Sequence, residues 1–181
     1  MIRTIIRSYE HYEDARNVVV RLEQAGVAAV DVSLIGRQAT GDDNAAEGAG
    51  LGGAIGGGAG FLAGLGIIAL PGIGPVVAAG WLVSTLTGAA AGALAGGLIG
   101  ALSDAGVEIR DAHYYTETVR RGGAIVSVRV ADKSASPVEK IMNAGRPIDA
   151  ESRRAAYERE GWTAFDERAG PYRPASWSDL T

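Results

Sequence analysis

His11 and His113 are the only histidines of a chain that has no cysteine, and this narrows the chemistry open to it. His113 stands beside Asp111 and the pair Tyr114-Tyr115. An imidazole among a carboxylate and two phenols can form a hydrogen-bonded proton-transfer patch, although a single histidine on a helix usually just faces water. Without cysteine there is no thiol nucleophile, no disulfide and no cysteine-held zinc or iron–sulfur site, and a reducing compartment fits. Neither a Gly-x-Ser-x-Gly elbow nor a histidine-pair metal motif occurs. Asp42, Asp43 and Glu47 form the one local carboxylate cluster, but their spacing matches no calcium loop. Gly48-Ala-Gly50-Leu-Gly-Gly53 fits the phosphate-cradling Gly-x-Gly-x-x-Gly pattern. It follows a long polar loop, however, and lies where almost any glycine pattern arises by chance. The expectation is a non-enzymatic protein with no cofactor, no metal and no identifiable small-molecule substrate. A net charge of −4 without a basic patch argues against nucleic acid as partner.

The stretch that organises the chain is apolar. Residues 48–103 carry no charge and hold 18 of the 27 glycines. Gly52, Gly56, Gly60 and Gly64 recur every fourth residue, as do Gly88, Gly92, Gly96 and Gly100. Four-residue spacing stacks small residues on one helical face, so each arm would carry a groove for close helix packing. Pro71, Gly72, Gly74 and Pro75 make the turn between arms, since prolines lack an N–H and glycines accept positive φ. The expectation is a helical hairpin with arms near 48–70 and 76–102. Such arms are long enough for a bilayer core of about 30 Å.

Two arrangements compete for this hairpin. In the first it inserts into the bacterial inner membrane with both termini in the cytoplasm, because residues 1–12 do not look like a signal peptide. In the second it is buried between subunits of a soluble cytoplasmic assembly. The first, with the lipid bilayer as partner, is the expectation. The flanking acids Asp42, Asp43, Glu47 and Asp104 and the lack of a Lys/Arg cluster keep the second, a ring, shell or filament subunit, as the alternative. Glycine costs roughly 1 kcal/mol per residue against alanine in a helix, so either arrangement needs close partners.

The charged remainder reads as a small α+β domain. Residues 2–8 alternate as a strand, 12–24 carry Ala15, Val18, Val19 and Leu22 at helical spacing, and 28–36 alternate again. After the hairpin come a helix at 111–121, a strand at 124–130, and a helix opened by the capping box Ser136-Pro137-Val138-Glu139. A short edge strand at 146–149 would close the sheet. The order is βαβ-βαβ, a ferredoxin-like sandwich with helices on one face, interrupted by the Gly/Ala-rich hairpin. The division is 1–47 and 104–150 for the two halves, 48–103 for the hairpin, and 151–181 for a charged helix and aromatic tail. Val30–Leu34 would border a groove in which a sandwich of this kind could take an effector, but no residue names a ligand.

Tyr157, Trp162, Phe165, Tyr172 and Trp177 crowd into the last 25 residues. Disordered tails are poor in aromatics, so this one should dock, either back on its own sheet or as a clasp on a neighbouring subunit.

The order of these features, with the Pro-Gly-Ile-Gly-Pro turn at 71–75, Arg120-Arg121-Gly122-Gly123 and the valine-rich strand that follows, resembles the bacterial heat-induced general stress protein-like domain family with a glycine-zipper hydrophobic hairpin. The resemblance spans about residues 1–150 and leaves out the tail. It implies a stress-associated, non-enzymatic, membrane-associated protein with no catalytic residues; homo-oligomerisation is expected from the glycine faces of the hairpin instead.

Overall fold

The computed structural model describes residues 1–37, 65–88, 97–170 and Tyr172. Five strands form one antiparallel sheet: β1 (Ile2–Tyr9), β2 (Val32–Gly36), β3 (Gly66–Leu70), β4 (Gly74–Gly80) and β5 (Ala124–Ala131), in the spatial order β1-β5-β2-β4-β3. The last strand in sequence lies inside the sheet. β5 pairs along its whole length with β1, from Ile2↔Ala131 to Tyr9↔Ala124, and on its other side with β2, from Val32↔Val128 to Gly36↔Ala124.

Six helices are described: α1 (Tyr12–Gln24), α2 (Trp81–Gly88), α3 (Gly97–Asp104), α4 (Ile109–Arg120), α5 (Asp132–Ala144) and α6 (Ala150–Arg159). They cover both faces of the sheet, where the sequence suggests one. Ala15, Val18, Val19 and Leu22 of α1 and Val138 and Met142 of α5 pack with Ile5, Leu34, Val126 and Val128 in one core. Leu82, Leu98, Leu102, Ala112 and Val119 of α2, α3 and α4 pack with Ile6, Ile35, Val76, Ala78 and Ile125 in the other. A strand covered on both faces can be apolar throughout, and β5 is buried along nearly all of its length.

The hairpin is the main correction. The chain turns at Pro71 and Gly72, but Gly74 and Pro75, expected in the turn, open β4, and residues 66–70 and 74–80 are strands. Leu70 O accepts the N–H of Ile73 at 3.1 Å, with Pro71 and Gly72 (φ +72°) at the centre, a type II turn. β-branched Ile67, Ile68, Val76 and Val77 suit a pleated sheet, and the edge of β2 supplies backbone partners for β4 from Ser33↔Gly80 to Gly36↔Val77. Gly80 then ends β4 at φ +92°, a conformation no helical residue holds, so a continuous helical arm at 76–102 does not form. α2 and α3 have 8 residues each, about 12 Å of helix. Among the described residues no helix is long and apolar enough to cross a membrane, which overturns the transmembrane-helix reading.

Two further expectations shift. The Ser136 capping box is overridden: α5 begins at Asp132 and Pro137 lies inside it. Its first turn is held instead by burial of Ala135 and by the Asp132 N–H, which donates to Met1 O. At 146–149 there is no strand; a single backbone bond among the described residues ties the segment to β1, from Ile148 N–H to Ser8 O at 2.7 Å. Asp149 there serves as N-cap of α6, accepting the N–H of Ser152, and the Ser152 side chain together with that N–H holds its carboxyl below the usual range.

Gly145 and Arg146 divide the C-terminal capping of α5 in an unusual way. Arg146 takes the left-handed conformation (φ +57°) that glycine normally occupies, while Gly145 keeps φ −76°. The reason is packing, because a Cβ on Gly145 would collide with the Val18 side chain. Arg146→Gly should therefore stabilise the fold by about 0.5–1 kcal/mol, read as a higher midpoint in urea unfolding.

Candidate assembly surface

The residues with chemical potential are used to hold the fold. His113 Nδ1 accepts the backbone N–H of Phe165 at 3.2 Å, so the ring positions the tail. Asp111 pairs with Arg154, the Tyr114 hydroxyl lies 3.0 Å from Ser8 Oγ, and the Tyr115 hydroxyl donates to Ile6 O. Burial raises both phenols, Tyr115 to about 12, so both stay protonated over the physiological range. These four residues bond outward, to Phe165, Arg154, Ser8 and Ile6, and not to one another, so the expected hydrogen-bonded patch around His113 is not assembled among the described residues. His11 is the N-cap residue of α1 and makes no side-chain cap bond. Among the described residues no group of three His, Asp or Glu side chains is placed to hold a metal ion. Asp42, Asp43, Glu47 and the 48–53 glycine motif lie outside the described residues.

The tail folds back on its own chain. Tyr157 is buried, with its ring 6.2 Å from that of Tyr114 and 5.9 Å from that of Trp162. Phe165 is buried with Leu70 and Ile73 of the hairpin turn. Tyr172 lies under the guanidinium groups of Arg120 and Arg121, and Trp177 is outside the described residues. The anchor of this arrangement is Glu117, a fully buried carboxylate on α4. It accepts from Arg120 Nε at 2.8 Å and Nη2 at 2.7 Å, and from Arg121 Nε at 2.6 Å. Arg121 also reaches Glu160, and its guanidinium lies 4.0 Å from the centre of the Tyr157 ring. Burial opposes the Arg121 charge, but its bonds to Glu160 and Glu117 outweigh that and raise its pKa. Sequence reasoning missed Glu117. The signal was present in the i,i+3 and i,i+4 spacing to Arg120 and Arg121.

The hairpin reaches the tail at one end and open space along its outer strand. A Cβ on Gly72 would lie 2.7 Å from Glu167 Cα, so the turn touches the tail backbone. β3 is the last strand of the sheet on its side, and its residues Gly66, Ile67 and Ala69 are exposed. Ile67 is 52% exposed, more than a strand residue packed on a second layer would be. A Cβ on Gly66 would meet nothing within 4 Å. Of the expected helix-packing glycines, Gly88 closes α2 and Gly100 lies in α3. A Cβ on Gly100 would also meet nothing within 4 Å, so among the described residues no close approach requires glycine there. Gly52, Gly56, Gly60, Gly64, Gly92 and Gly96 lie outside the described residues.

Comparison of the chain with family models, with curated proteins and with solved structures finds no match.

Proposed function

We propose that this chain is a non-catalytic, stress-associated structural subunit that assembles with copies of itself in the cytoplasm, its hairpin buried between subunits. The observation that carries this reading is β3, an uncharged apolar strand at the open end of the sheet. An exposed strand edge offers unpaired N–H and C=O groups, and sheets that stay single usually guard such an edge with charge or proline. β3 contains neither, and the nearest charged residues in sequence are Glu47 and Asp104. The unit β1-α1-β2 with β5 between its strands, followed by α5, is read as a ferredoxin-like core in which the β3–β4 hairpin extends the sheet beyond β2.

Light scattering on the detergent-free protein tests the reading. The unaltered chain should show at least twice its 18.5 kDa monomer mass. Ile67→Lys, which places a charge on the exposed face of the edge strand, should reduce the mass to that of the monomer without loss of helix or strand content. A monomeric unaltered chain at tens of micromolar would overturn the proposal.

A further inference from the structure

The sheet has two ends, and they differ. At the β1 end the outward backbone groups are partly taken: Ser8 O by Ile148 N–H at 2.7 Å, and Ile6 O by Arg7 Nη1 at 2.8 Å and by the Tyr115 hydroxyl. Arg3 and Arg7 flank this edge, with Arg3 paired to Glu139. Two copies of β1 joined about Ile5 would set Arg3 against Arg7 twice, a repulsive cross-strand arrangement. Among the described residues the β3 end has no such guard, since Gly66-Ile67-Ile68-Ala69-Leu70 carries no charge and is open at Gly66.

Direction selects how two copies can meet. The strands alternate, so β1 and β3 run the same way, and a head-to-tail join between equally oriented copies would be parallel and would need the occupied β1 edge. A twofold axis beside β3 instead sets two β3 strands antiparallel, the pairing that already builds this sheet. Twofold symmetry requires one residue to face its own copy, because paired positions must exchange and keep the same hydrogen-bond type. Overlap of all five residues puts Ile68 on the axis, with Ile67 opposite Ala69 and Gly66 opposite Leu70. On one face this sets exposed Ile67 and Ala69 of each copy against each other, and every contact is between uncharged residues. We infer that the occupant of the β3 edge is a second copy of this chain, bound antiparallel about Ile68, giving a closed pair with a continuous ten-stranded sheet.

This inference rests on the self-assembly reading and can fail separately from it. The absence of cysteine lets one introduced thiol report a single contact. Facing residues of an antiparallel pair have Cα atoms about 4.5–5.5 Å apart, within disulfide range. Ile67 and its copy would be roughly 8 Å apart, outside that range. On mild oxidation Ile68→Cys should convert to a covalent dimer, at least tenfold faster than Ile67→Cys. Because Ile68 packs partly into the core, Gly66→Cys with a spin label gives a second reading at an open position. Its two copies should sit roughly 14 Å apart along the paired strands. An unaltered protein that assembles while Ile68→Cys stays uncrosslinked and the Gly66 labels show no coupling overturns the twofold edge alone. A monomer with neither signal overturns both, as it would if another part of the same chain covered β3. Crosslinking only when Thr4→Cys and Ile68→Cys proteins are mixed would establish the head-to-tail join and reject this one.

Discussion

Glu117→Ala should destabilise the protein by about 3–5 kcal/mol, the cost of breaking a buried ion pair from one side. The side chain is fully buried, and three guanidinium nitrogens of Arg120 and Arg121 converge on its two oxygens. Removing the carboxylate leaves two largely buried cations facing one another. In a chain of this length that is roughly 10 °C in the melting midpoint. Because the cluster is shielded from solvent, the loss should persist in 1 M salt, where an exposed pair would lose its effect. Glu117→Gln keeps the shape and one acceptor and should cost less. The same variants should loosen the tail, since Arg121 supports both Tyr157 and Tyr172. Trp162 packs on Tyr157, so its emission should shift red as the tail loosens. A Glu117→Ala protein that melts within 2 °C of the unaltered chain would show that the two arginines find other partners.

Gly72→Ala should cost about 2–5 kcal/mol, from two sources that separate. At φ +72° a Cβ brings backbone strain of about 1–2 kcal/mol. The same Cβ would meet Glu167 Cα at 2.7 Å and Glu167 O at 2.9 Å, and overpacking against backbone adds about 1–3 kcal/mol. Gly161→Ala supplies the control, because Gly161 has φ +89° and nothing within 4 Å of its Cβ position. Denaturant unfolding of both variants gives the clash as their difference. Equal losses at the two positions would mean that the tail yields at Glu167 without cost.

The parts of the fold legible in the sequence are those with a strong period. α1 occupies residues 12–24 as its apolar spacing requires, and β1 and β5 lie within a residue of the alternating runs that define them. The hairpin was not legible because an uninterrupted apolar run has no period to tell a strand from a helix. There, fourfold glycine spacing suggested helix, while β-branching at Ile67, Ile68, Val76 and Val77 and the free edge of β2 decided for strand. The capping box at Ser136 was a valid local signal outweighed by burial of Ala135. Of the candidate site, a turn at Pro71 and Gly72 was legible from proline and glycine chemistry, whereas Gly74 and Pro75 proved to be the start of β4. The contact between Gly72 and Glu167 was not legible, because it joins segments far apart in sequence.

The placement of β5 inside the sheet has a consequence for the nascent chain. β1 and β2 flank a strand that ends at Ala131, so β1 has no partner strand until that residue has been made. At about 5–20 residues per second, the hundred or so residues between β2 and β5 take roughly 5–20 s to synthesise. β3 and β4 can close as a hairpin and pair with β2 through β4 during that interval, and β1 must wait. Closure of the sheet is then a late, non-local event, and the folding rate is set by how soon the emerging β5 is captured between two strands made long before it.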